Sequence, residues 1–287
     1  MKLASYLDYY DWGLGKQLSL FEDNQLDYFI LRKIDGLSFL SYQEAILDYQ
    51  KQLKRTKIGL FDPLLAPIDL EDETSVNDLS LAVKFAKVIK AKTIAITIKA
   101  FDVENIDEEA LIDYFKGIIK ITKRLQVVVK TTDENPMHVY NLIANLNKVK
   151  KIKLIYNPAN IYIKDYSPIT AYRLFKQKMG IFEVADVDER KLAILLGHGE
   201  IDIKSLFKKL YRDRFKGLIC LNSNLDEVFK NFGVDSAQVN KKEKKSNLKK
   251  YLTTINQLGY VNYETKEEVP FENIIEHQIK LLKVVFK

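Results

Sequence analysis

Among 287 residues the sequence has one cysteine, three histidines, one tryptophan and six prolines. A single thiol excludes an intramolecular disulfide framework and fits a reducing compartment. Cys220 lies in the apolar run GLICLNS, where a lone thiol is read as packing rather than as a nucleophile. KLASYLDYYDW follows Met1 without a long apolar stretch, so no secretory leader is expected and the setting is read as cytoplasmic. No run of about 18 apolar residues occurs, so no membrane partner is expected. Arginine is scarce too, and the formal charge of +6 is carried mostly by lysine. The densest run, NKKEKKSNLKK, lacks the arginines and interleaved aromatics of a nucleic-acid stripe. It reads as a solvated loop and helix start, and no nucleic-acid partner is expected.

What is present is alternation. Short β-branched runs recur at 2–7, 27–33, 57–62, 93–99, 125–131, 151–157, 179–186 and 217–223. Several, such as IAITI and LQVVV, are apolar on both faces, as a parallel sheet covered by helices requires. Amphipathic stretches lie between them. SVNDLSLAVKFAKVIKA opens on a serine able to cap it, and SPITAYRLFKQK on Ser-Pro, a cap followed by proline at the first helical position. DEEALIDYFKGIIKITKR begins with acids and ends with bases, as the helix dipole favours.

Eight strand–helix units in one chain predict a closed (β/α)8 TIM barrel spanning 1–287, with an irregular excursion at 232–270 before a last helix. An open doubly wound sheet is the alternative. It usually carries a GxGxxG turn after its first strand, which Gly13 and Gly15 do not form. In a barrel the active site lies at the C-terminal strand ends. The residues there are Arg32, Asp62, Lys99, Lys130, Asn157, Glu183, Asp186 and Asn222.

Several stretches resemble the xylose isomerase-like TIM barrels, the sugar phosphate isomerase/epimerase group that also includes AP endonuclease family 2. IYNPANIYIKDYSPITAYRLF is similar to the sixth unit of that family, whose strand reads roughly FDPAN. EVADVDE and GHGEIDIKSLFKKLYRDRFKGLICLN are similar to its seventh and eighth units, and HQIKLLKVVFK to its closing helix. The resemblance implies a sugar-processing barrel. In the family a divalent metal is typically held by a Glu, an Asp, a His and a Glu at strands 5 to 8. Such a metal polarises the sugar's oxygens.

Carried over residue by residue, those positions hold Lys130, Asn157, Glu183 and Asn222. A glutamate common in the second strand is replaced by Ile30. The four replacements sum to zero charge. This leads to the expectation that Lys130 stands in for the cation and pairs with Glu183, with no metal and no cofactor. Lys130 and Glu183 are then the candidate catalytic pair. Arg32, Lys99, Asn157, Asn222, His198 and Trp12 are candidate ligand-binding residues, Trp12 by stacking with Tyr9 and Tyr10 on a sugar face. His138 reads as a helix-start residue and His277 as a surface one; three scattered histidines do not make the three-zinc cluster of the related endonucleases. Two readings stay open. One is an isomerase- or epimerase-like barrel with a degenerate metal site that binds a small polar or anionic carbohydrate. The other is a non-catalytic binding protein.

Overall fold

The structure, a computed structural model, describes residues 2–9, 11–99, 107–130, 135–146, 149, 151–223, 225, 227–228 and 271–286. The expected excursion at 232–270 lies outside the described residues, as does Tyr10.

The strands are β1 Lys2–Ser5, β2 Phe29–Leu31, β3 Ile58–Phe61, β4 Thr93–Thr97, β5 Gln126–Lys130, β6 Ile152–Tyr156, β7 Met179–Val184, and β10 Leu218–Leu221, with a short hairpin of β8 Asp186–Val187 and β9 Ala193–Ile194 before the last. Eight of them form one sheet in the order β1-β10-β7-β6-β5-β4-β3-β2. Every described ladder in that sheet is parallel. At the β1–β2 seam the amides of Asp27 and Tyr28 donate to the carbonyl of Leu3, and the amide of Leu3 donates to Asp27. The arrangement is the (β/α)8 TIM barrel expected from the alternation.

The helices are α1 Leu14–Asp23, α2 Phe39–Tyr42, α3 Ile46–Leu53, α4 Glu73–Val88, α5 Glu108–Thr122, α6 Pro136–Leu146, α7 Pro158–Ile163, α8 Pro168–Phe175, α9 Ile203–Arg212 and α10 Phe271–Phe286. Among the described residues, no helix is long and apolar enough to cross a membrane. The Ser-Pro signal holds: the Ser167 hydroxyl accepts from the Thr170 amide, with Pro168 opening α8. The start of α4 differs from the reading. Asp72, not the serine, is the cap, accepting from the amides of Thr74 and Ser75. Ser75 lies inside the first turn and accepts instead from the amide of Asp69. Asp72 suits the cap because its carboxylate accepts two amide bonds and adds negative charge at the positive helix end.

Two apolar sets account for the fold. Phe29, Leu31, Phe61, Ile94, Ile96, Val127, Val129, Phe182, Ile219 and Leu221 point outward and meet the helices in one large buried cluster. Ala4, Tyr6, Ile30, Leu60, Ala95, Val128, Ile181 and Cys220 point inward and fill the barrel's centre. Cys220 is therefore packing, as read from its apolar run. The alternation of these sets along each strand decides which residues reach the mouth, because side chains two apart share a face.

Candidate functional site at the C-terminal mouth

Counting two residues on from the inward set gives the mouth. Tyr6 leads to Asp8, Ile30 to Arg32, Leu60 to Asp62, Val128 to Lys130, Ile181 to Glu183 and Cys220 to Asn222. Asn157 follows Ile155, which packs against the same inner set. Asp8, Asp62, Asn157 and Glu183 are buried, so the ring is set into the barrel end rather than on its surface.

The cations of this ring are matched. Arg32 grips Asp8 with two bonds, Nε to Oδ2 at 2.6 Å and Nη2 to Oδ1 at 2.9 Å. The Arg32 guanidinium also lies 4.1 Å from the centre of the Tyr6 ring. Lys130 Nζ lies 2.7 Å from both Asp62 oxygens. Lys99 leaves the ring: its Nζ is 3.4 Å from Asp69 Oδ1, ahead of α4, and 5.7 Å from the Tyr114 ring on α5. The expected pair of Lys130 with Glu183 is therefore not formed. Asp62 is the residue that takes the lysine, since it binds the ammonium with both oxygens while Glu183 is satisfied by neutral donors.

Those donors are Tyr6 and Asn157. The Tyr6 hydroxyl donates to Glu183 Oε1 at 2.7 Å, and Asn157 Nδ2 donates to Oε2 at 3.2 Å. Burial, then the charge of Glu183, pushes the Tyr6 phenol well above its ordinary pKa, so it remains a neutral donor. Asn157 works in two directions. Its Oδ1 accepts from the Ala159 amide at 2.9 Å and caps α7, while its amide nitrogen serves Glu183. An aspartate there would cap the helix but set a second carboxylate against Glu183. Asn222 Oδ1 is buried and has no hydrogen-bond partner among the described residues.

The other predicted residues stand apart. Trp12 is half-buried; its ring carries Lys16 Nζ 4.2 Å from its centre and meets Tyr9 edge-on at 6.0 Å. Tyr9 is buried and shares a hydrogen bond with Ser223, so it offers no open stacking face. His198 is half-buried in the loop after β9, and burial lowers its pKa. That loop is gathered by Asp186, which accepts from the amides of Val187, Gly197, Gly199 and Ile201. Burial raises the Asp186 pKa against the pull of these donors. A Cβ on Gly199 would lie 2.1 Å from Asp186 Oδ1 and 2.4 Å from the Val187 carbonyl, so only glycine fits. His138 opens α6 beside Asn135, and His277 is exposed on α10, as read.

Sequence reading missed Tyr6 and Asp8. Both lie in YLDYYDW, where four aromatics and two aspartates crowd together, and only the alternation Ala4, Tyr6, Asp8 singles them out.

A barrel whose polar ring sits on the strand ends, with the loop of Asp186 beside it, matches a family model described as xylose isomerase-like TIM barrel over residues 21–250. The chain belongs to the xylose isomerase-like TIM barrels. Among solved structures, a xylose isomerase domain protein from Planctomyces limnophilus shares 14% identity over 81% of this chain and 94% of that one, with a TM-score of 0.61. The 3-keto-D-glucoside 4-epimerase YcjR from E. coli shares 13% identity over 88% of this chain and 99% of its own, with a TM-score of 0.59. The IolI protein, solved with a zinc atom, shares 14% identity over 92% and 100%, with a TM-score of 0.64. At these identities the likeness speaks to the fold. No curated protein matches the chain. Within this xylose isomerase-like barrel the mouth holds two matched ion pairs and one carboxylate bound by neutral donors.

Proposed function

We propose that the C-terminal mouth binds a small, uncharged polyhydroxylated ligand of carbohydrate type, without a resident divalent metal. The carrying observation is the charge matching: Arg32 with Asp8, Lys130 with Asp62, and Lys99 with Asp69. Arg32, Lys130 and Lys99, the three cations named at the strand ends, are thus each already paired, which argues for a neutral sugar over a sugar phosphate. Such a ligand exchanges hydroxyl hydrogen bonds with paired polar groups, and the buried acceptor Asn222 Oδ1 suits a hydroxyl donor.

The donor set does not fit a divalent metal. Of the four positions that the family resemblance assigns to ligands, Lys130 is an ammonium with no lone pair and two are amides. Glu183 supplies the one carboxylate, and both of its oxygens already accept hydrogen bonds. No group of three or more His, Cys, Asp or Glu side chains poised for a metal occurs among the described residues. On this reading, any isomerase- or epimerase-type proton transfer falls to Glu183 as base and to Lys130 as the cation facing the developing oxyanion.

A second reading, a binding barrel without catalysis, draws on the same carboxylate: a base held by two donors must give one up before it can take a proton. Ligand-observed NMR with a panel of pentoses, hexoses and keto sugars, in EDTA, tests the proposal. Binding that persists in EDTA and falls in Glu183→Gln supports it. Binding seen only with added divalent metal overturns it. Exchange of a sugar carbon-bound proton with solvent in wild type, absent in Glu183→Gln, separates the catalytic reading from the second.

A further inference from the structure

We propose that the opposite, N-terminal mouth of the barrel binds a compact multivalent phosphate anion, such as pyrophosphate or the diphosphate end of a nucleotide.

The sequence already hints at it. A lysine stands at or just before the start of six of the eight barrel strands: Lys2, Lys57, Lys92, Lys151, Lys178 and Lys216. Lys153 adds a second on β6. Helix C-terminal ends, which carry partial negative charge, surround this face and account for some of these residues. Lys151 serves such an end, donating to the Lys123 carbonyl at 2.9 Å beyond α5.

Four others do something different. Lys2, Lys92, Lys153 and Lys216 line a hollow of about 160 Å³ whose lining contains no aspartate or glutamate. None of the four forms an ion pair among the described residues, and Lys92 donates to the hydroxyl of Tyr28 at 2.8 Å. Tyr28 reports the resulting field. Its pKa is pulled down by the Lys92 hydrogen bond and by the charges of Lys92, Lys2 and Lys57. Gly59, Gly180 and Gly217 are part of its lining. A Cβ on Gly180 would meet Lys153 Cβ at 2.9 Å and Val128 Cγ1 at 3.1 Å, and one on Gly59 would meet Tyr28 Cβ at 2.7 Å. A side chain at either position would have to displace these neighbours, two of which, Lys153 and Tyr28, line the hollow.

Lysines clustered without carboxylates repel one another, and a multivalent anion relieves several of these repulsions at once. The hollow would hold roughly five waters, the scale of one diphosphate group. Ammonium donors of this kind bind phosphate as point charges from several directions.

The test is isothermal titration calorimetry of the full chain with pyrophosphate and, separately, ADP, each in buffer matched in ionic strength with sodium chloride. Saturable binding of pyrophosphate is expected, weakening roughly tenfold for each of Lys92→Gln, Lys153→Gln and Lys216→Gln. Equal affinity for ADP assigns recognition to the diphosphate; tighter ADP binding assigns it to a nucleotide's diphosphate end. Thermal midpoints of the variants, expected at or above wild type, show that they fold. Heats no larger than those of chloride, affinity unchanged in the triple variant, or displacement by a DNA duplex at equimolar phosphate would each overturn the assignment.

Discussion

At the C-terminal end of the barrel Arg32, Lys130 and Lys99 each face a carboxylate, whereas at the N-terminal end Lys2, Lys92, Lys153 and Lys216 ring a hollow that has none in its lining. The two tyrosines of the inner ring show the contrast. Tyr6, buried beside Glu183, has its pKa driven up, and Tyr28, among lysines, has its pKa drawn down. Burial explains the matching of Arg32 and Lys130, whereas the Lys99–Asp69 pair is largely exposed. Asp8 and Asp62 are almost wholly buried, and an unmatched charge in such a place is too costly to keep. Lys2, Lys92 and Lys216 are exposed, so water supports them without a carboxylate partner. An end that must match its charges suits a neutral ligand, and one that need not can keep a field for an anion.

The contrast breaks most visibly at Asp8. Asp8→Ala strands the Arg32 guanidinium, and about 3–5 kcal/mol of stability is expected to be lost in urea denaturation. A loss below about 1 kcal/mol would mean the pair is solvated like a surface bridge. Lys130→Met strands Asp62 in turn, with a smaller cost of about 1–3 kcal/mol because the Lys130 side chain is 28% exposed and water reaches the pair. Gly199→Ala forces a methyl onto Asp186 and the Val187 carbonyl, and is expected to cost about 1–3 kcal/mol while leaving both ion pairs intact. At the other end, Lys216→Gln and Lys153→Gln are expected to change stability by no more than about 0.5 kcal/mol, or to raise it. A large loss there would show that these lysines are structural.

The smallest effect is spectroscopic. Tyr28 has a folded pKa below its unfolded value, so its contribution to stability is present above the unfolded pKa and fades as pH falls through the folded one. Tyr6 has the opposite shift, so its contribution is present below the unfolded pKa and is lost as pH rises toward the folded value. Ultraviolet titration should therefore lose its earliest-ionising phenol in Tyr28→Phe. In Tyr6→Phe the early part of the curve should stand unchanged. The reverse result would mean that the two ends do not carry the fields assigned to them.

The barrel was legible because its strands are apolar on both faces and its helices are periodic, two signals that local sequence carries in full. The positions of Asn157, Glu183, Arg32 and Lys130 at the mouth were legible for the same reason: they end strands. Their partners were not. Lys130 pairs with Asp62, 68 residues away in sequence, and Glu183 with Tyr6, 177 away, and choosing among the acids at the strand ends requires the barrel's stagger, which no local pattern encodes. The cap of α4 is Asp72 rather than the serine of SVNDLSLAV because the helix already begins at Glu73, ahead of the apolar periodicity. The motif GHGEID carries the family resemblance, and its physical reason is long-range: Gly197, Gly199 and Ile201 turn their amides onto Asp186.

If the mouth satisfies its charges internally, as proposed, it offers a divalent ion no site. Elemental analysis of protein purified without chelator or affinity-metal resin, paired with thermal midpoints in EDTA and in excess Mn or Zn, tests it most directly. Metal far below one equivalent and the same midpoint in all three conditions are expected. One equivalent of Mn, Zn, Co or Mg, removed by EDTA with a fall in midpoint, would contradict it.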